Sequence, residues 1–125
     1  MPSVDVLDET FLAVPPARVA AVFADPGAWR RFWPDLRLEV YADRGAEGLR
    51  WTVRGALVGT MEVWLEPMLD GTLLHYFLRA DPPPGTTVPA GESQRRQFAS
   101  KRVAFALKAR LEAGRAPGCP PSDAQ

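Results

Sequence analysis

The chain of 125 residues has one cysteine, one histidine, no excess of either charge and no long apolar run. Each shortage excludes something. A lone cysteine, Cys119, allows no internal disulfide and no thiolate zinc cluster. A lone histidine, His75, allows no multi-histidine metal site, and no metal is expected. Lysine plus arginine number 15 against 15 aspartate plus glutamate, so nothing draws the whole chain toward nucleic acid, and no such partner is expected. No stretch nears the ~18 apolar residues of a membrane span. Residues Met1 to Asp5 lack the basic stretch and apolar core of a secretion signal, and the expected location is cytoplasmic. Gly-rich phosphate loops, EF-hand loops and carboxylate pairs suited to glycosidase or metal chemistry are not evident, and no cofactor is expected. Asp5, Asp8 and Glu9 merely cluster on an edge-like first strand.

What is present suits one small domain. Apolar residues make up 46% and charged residues 24%, close to the globular average. The length is enough to bury a real core, and four Trp, six Phe and two Tyr supply it with rings.

Val4 to Val14 alternates as a half-buried strand, with Val4, Val6, Asp8, Thr10, Leu12 and Val14 on one side. Pro15-Pro16 ends it. Ala17 to Ala24 places Val19, Val22 and Phe23 on one helical face. Asp25-Pro26-Gly27 opens a second helical turn, in which Trp29, Phe32 and Trp33 share a side and Pro34 ends the piece. Strands follow over Leu36–Tyr41, Leu49–Arg54, Leu57–Glu66 and Thr72–Ala80, with Asp70-Gly71 as the strongest hairpin signal. A proline-rich loop, Asp81 to Gly91, leads to a helix over Glu92–Glu112. Its apolar side is assigned to Phe98, Val103, Phe105, Leu107 and Leu111. Residues 113–125 read as a disordered tail behind a single domain of residues 1–112.

A two- or four-residue loop between the last two strands sets their faces. Leu57, Gly59, Met61, Val63, Leu65, Leu74, Tyr76 and Leu78 then share an apolar face that meets the long helix. Val58, Thr60, Glu62, Trp64, Glu66, Leu73, His75, Phe77 and Arg79 share a mixed face, with ion pairs from Glu62 or Glu66 to His75 or Arg79. The class is α+β: a curved antiparallel sheet with a helix across one side.

In this order, VPPARVAAVFADPGAWRRFWP (14–34), GTMEVWLEPMLDGTLLHYFLRADPP (59–83) and FALKARLE (105–112) resemble the START-like, polyketide cyclase/dehydrase superfamily. This is the helix-grip fold shared with the birch pollen allergen family, and the chain is most similar to its small actinobacterial members. The resemblance spans most of residues 4–112. It implies an apolar cavity between sheet and C-terminal helix, where members hold lipids, polyketides or other apolar molecules and some catalyse cyclisation or dehydration. Five strands are read where the family has seven, with the missing hairpin between about Val53 and Leu57, which implies a smaller or more open cavity.

The expected partner is therefore a small apolar or amphipathic molecule, a lipid, polyketide-like or aromatic metabolite. Trp33, Trp51, Met61, Val63, Tyr76 and Phe105 are its candidate contacts. Whether the chain is an enzyme stays open. For a cyclase or dehydratase, the candidates are Tyr76, His75 as general acid/base, and Arg79, with Arg50 and Arg54 as further rim cations for an enolate. Each has a plainer reading: a surface or ion-paired histidine, solvated arginines, and a tyrosine bonded to backbone or water. A third reading is an interaction module, using Trp64 and Phe77 on the mixed face or a strand edge that pairs two copies as a homodimer. The six Lys/Arg from Arg95 to Arg110 read as a solvated helix face, because no aromatics interleave its polar side.

Overall fold

A computed structural model of the chain describes residues 2–113. Cys119 and the expected tail beyond Ala113 lie outside the described residues. The elements run β1 (Val4–Leu12), α1 (Pro16–Phe23), α2 (Pro26–Phe32), β2 (Leu36–Asp43), a single 3-10 turn (Gly45–Glu47), β3 (Gly48–Gly55), β4 (Val58–Met68), β5 (Gly71–Asp81) and α3 (Glu92–Leu111). All five strands form one antiparallel sheet in the order β1-β5-β4-β3-β2. The α+β helix-grip expectation therefore holds, five strands included.

Strand parity sorts the residues. On β1, Val4, Val6, Asp8, Thr10 and Leu12 turn inward. On β4 and β5 the buried partners are Met61 with Leu78, Val63 with Tyr76 and Leu65 with Leu74. β3 adds Leu49, Trp51 and Val53. On β1, β3 and β4 this is the alternation of a sheet with one buried side; on β5, His75 is buried too, beneath outer-face neighbours. The β3–β4 link is only Ala56-Leu57, and the Ala56 N–H donates to the Asp35 carbonyl (3.0 Å).

The β4–β5 turn differs in one detail. Its central residues are Leu69 and Asp70, since Met68 pairs with Gly71. Leu69 takes the left-handed conformation (φ 53°) and is 95% exposed. Gly71 serves another purpose than turning: a Cβ there would lie 2.3 Å from the Leu12 carbonyl oxygen of the arriving β1.

The helices are set by local chemistry. Pro16 opens α1, whose Val19 and Phe23 are buried. The Asp25 carboxylate accepts the Gly27 N–H (2.9 Å) and caps α2. The Trp29 indole N–H donates to the Phe23 carbonyl (2.6 Å), which locks the two short helices at a fixed angle.

α3 packs chiefly on β1. Its inward residues are Ser100, Ala104, Leu107 and Leu111. Small side chains at the first two positions let the helix axis come close to the strand. This corrects the expected apolar side: Phe98 and Phe105 point outward, 71% and 56% exposed. Lys101 and Lys108 straddle the free margin of β1, donating to the Glu9 (3.1 Å) and Phe11 (3.0 Å) carbonyls. The Ala13 N–H next along donates to Glu112 (2.8 Å). Spaced by two, these are backbone groups turned away from β5, so the margin of β1 is capped by side chains.

Candidate functional site

The space between sheet and α3 is nearly full. Phe23, Trp33, Tyr76, Val103 and Ala104 surround a void of about 10 Å³, with Asp8 and Ser100 at its side. That is no more than one water occupies. Trp33 is the reason. It follows directly on α2, is 3% exposed, and lies against Tyr76 with ring centroids 6.0 Å apart and planes 9° from parallel. Phe23 stacks beside it at 6.4 Å, and Trp51 meets it at 5.8 Å and 60°. Of the candidate contacts, Trp33, Trp51, Met61, Val63 and Tyr76 are all buried on this inner side. Phe105 is not among them; it projects from the far side of α3.

Two buried polar groups in this interior have poor partners. The Tyr76 hydroxyl donates to the Met61 sulfur (3.3 Å), a weak acceptor. The Trp51 indole nitrogen is buried with no hydrogen-bond acceptor. Burial holds the Tyr76 phenol well above the usual tyrosine range, against the pull of the nearby Arg96 guanidinium. It is a neutral donor at any ordinary pH.

A second polar cluster closes one wall. The Asp8 carboxylate accepts from Lys101 (2.9 Å), Gln97 (3.1 Å) and Thr10 (3.2 Å). This group was missed as a unit, although a carboxylate among Val4, Val6 and Leu12 is a signal in itself, because a charge on the inward side of a strand requires partners. Arg96 makes the third contact across the grip. Its guanidinium holds Asp35 with two bonds (3.0 and 2.6 Å) and donates to Glu92 (3.0 Å). Asp35 lies two residues after Trp33, so this clasp ties α3 to the segment that carries the plug. Hydrogen bonds from Arg96 keep the Asp35 carboxyl below the usual range, against partial burial. Burial pulls the Arg96 guanidinium down, but Asp35 and Glu92 outweigh it and hold the cation firmly charged.

The other proposed acid/base groups lie across the sheet. His75 follows the opposite parity to Tyr76 and faces outward, with only 7% of its side chain exposed. Its Nδ1 is 2.9 Å from Glu9 and its Nε2 2.9 Å from Glu66. Trp64 stacks on the ring at 4.2 Å and Phe77 flanks it at 6.3 Å. Those two rings are therefore half-buried around His75 rather than forming an open pair. The expected Glu66–His75 pair is present; Arg79 instead faces Asp5 (3.7 Å), and Glu62 takes Arg44 (2.8 Å) and Arg50 (3.2 Å). Arg54 is exposed on the same outer side. Since neighbours on a strand point to opposite faces, neither His75 nor these arginines can meet a molecule that touches Tyr76 from the inside. Among the described residues no helix is long and apolar enough to cross a membrane.

No protein-family model matches the sequence, and no curated protein matches it. Solved structures do match in fold. DR_A0006 from Deinococcus radiodurans is 18% identical with a TM-score of 0.65, over 87% of this chain and 100% of that one. Aha1 from Colwellia psychrerythraea, solved as a dimer, is 12% identical with a TM-score of 0.67, over 90% and 99%. Ara h 8.0201 is 15% identical with a TM-score of 0.54, over 85% and 95%. The shared frame of curved sheet and long closing helix is the helix-grip fold.

Proposed function

We propose that the chain binds a small apolar or amphipathic molecule between the sheet and α3, by displacing the Trp33 ring. The observation that carries this is the pairing of an aromatic interior with two under-partnered polar groups, the Tyr76 hydroxyl and the Trp51 indole N–H. A core built only for stability gains little from a phenol that finds no better acceptor than sulfur. A ligand carbonyl or hydroxyl oxygen offers both donors a stronger partner, while the surrounding rings take its apolar body. The void of about 10 Å³ then describes a closed, empty state. Opening needs the α2–β2 connection to swing outward, and the Arg96–Asp35 clasp is what holds it.

The polyketide cyclase reading loses two of its three candidates, since His75 and Arg79 stand on the outer side. Binding without turnover is the better fit to the inner surface.

The test is native mass spectrometry of the purified protein, then titration with the fluorescent apolar probe N-phenyl-1-naphthylamine and with a set of aromatic ketones. A co-purifying apolar mass, or saturable binding competed by the ketones, supports the reading. A folded protein that binds none of them, in wild-type and Trp33→Ala forms alike, overturns it.

A further inference from the structure

We infer that the outward face of α3 is a docking surface for an anionic lipid bilayer. Two of the six phenylalanines of the chain sit on it, Phe98 and Phe105, 71% and 56% exposed. They lie seven residues apart, two turns of helix, and so project side by side from one line along the surface. Arg102 occupies the turn between them. Large apolar groups left in water on a structured element mark a contact surface rather than a solvated one.

Charge tells what they contact. Along Glu92–Leu111 the cations are Arg95, Arg96, Lys101, Arg102, Lys108 and Arg110, and the one acid is Glu92. That acid is already spent on Arg95 and Arg96. Arg102 and Arg110 have no ionic partner among the described residues. The Lys101 ammonium, held by Asp8, lies over the Phe105 ring at 5.5 Å and steadies it on this face. Arg96, Lys101 and Lys108 are held by Asp35, Asp8 and Glu112, so the outward face itself presents Arg95 and Arg102, with no acid between Phe98 and Phe105. Such a surface matches a partner carrying a single sign of charge.

Three such partners come into question. A second copy of the chain through the same face would set Arg95 and Arg102 of one helix against the same residues of the other. A nucleic acid would neutralise the arginines but leaves protruding phenylalanines without an apolar medium. An anionic bilayer accepts both: lipid phosphates around Arg95 and Arg102, and the upper acyl region around the two rings. The long helix is a convex ridge, which suits a planar surface better than it suits a groove. This inference uses the outside of α3 only and does not depend on what the interior binds.

The experiment is vesicle flotation of the full chain with phosphatidylcholine alone and with phosphatidylcholine mixed with phosphatidylglycerol. Binding to the anionic vesicles is expected to be at least ~100-fold stronger than to the neutral ones and to fall with added salt. Phe98→Ser with Phe105→Ser together, and Arg102→Glu separately, are each expected to cut it by about tenfold or more while the melting temperature stays near that of the wild type. Equal partition onto both vesicles, or none, overturns the proposal. So does an unchanged affinity in the double phenylalanine variant. Dimers that dissolve on Phe98→Ser, or single-stranded RNA binding that outcompetes the anionic vesicles, would assign the face to those partners and overturn it as well.

Discussion

The Trp33 ring lies parallel to the Tyr76 ring at 6.0 Å and fills the space between the sheet and α3. Removing it in Trp33→Ala leaves a cavity lined by Phe23, Trp51 and Tyr76. The expected cost is about 3–5 kcal/mol in urea unfolding, the range for deleting a buried aromatic ring. The same variant is expected to take up N-phenyl-1-naphthylamine more tightly than the wild type. Lost stability without gained uptake would show that the interior collapses instead of opening.

Tyr76→Phe deletes a hydroxyl that donates only to sulfur and accepts from the Trp33 indole N–H. Stability should fall by about 1–2 kcal/mol, because the bond to sulfur is weak but the buried Trp33 indole N–H loses its acceptor. Affinity for an aromatic ketone should drop, while affinity for a pure hydrocarbon of similar size should not. Parallel losses for both ligands would remove the polar role of Tyr76. His75→Ala, across the sheet, should leave either affinity unchanged.

The Arg96–Asp35 clasp carries a pH dependence whose sign follows from its direction. The Asp35 carboxyl titrates lower when folded than when unfolded. Its pairing thus adds stability above the ordinary carboxylate range, and that contribution is lost as pH falls through the lowered value. The side chain is 49% exposed, so the effect is modest. Unfolding midpoints of wild type and Asp35→Asn should differ near neutral pH and converge in acid. A gap that stays constant down to low pH would show that the carboxylate charge contributes nothing.

Asp8 is buried, and Lys101 neutralises it. Lys101→Met keeps much of the stem but removes the ammonium from Asp8, from Thr10 and from the Glu9 carbonyl. A loss of about 1–3 kcal/mol in thermal or urea unfolding is expected near neutral pH, larger than for exposed-face changes such as Arg102→Met. Similar small losses for both would mean that water reaches Asp8 freely.

Strand parity made much of the inner surface legible from sequence. A period of two along β4 and β5, with an even-numbered loop between them, is enough to put Met61, Val63 and Tyr76 inside and His75 outside. Helix α3 resisted the same treatment because it is apolar on two sides. Leu107 and Leu111 face in, Phe98 and Phe105 face out, and the inner line is completed by Ser100 and Ala104. Size is what decides: the close approach to β1 admits a serine and an alanine where a phenylalanine would not fit. The clasps were out of reach for another reason. Gln97 meets Asp8 from 89 positions away and Arg96 meets Asp35 from 61, and no local pattern encodes either meeting.

The lysines along β1 bear on how copies of this chain can join. Extending a sheet from molecule to molecule takes two open margins on each subunit, one to receive and one to give. Here Lys101, Lys108 and Glu112 occupy three backbone groups on the β1 side, from Glu9 to Ala13, while among the described residues β2 at the other end has a strand neighbour on one side only. Strand pairing between copies is therefore obstructed along the Glu9–Ala13 stretch of β1 and meets no such caps at β2, which biases joining toward a β2-to-β2 pair.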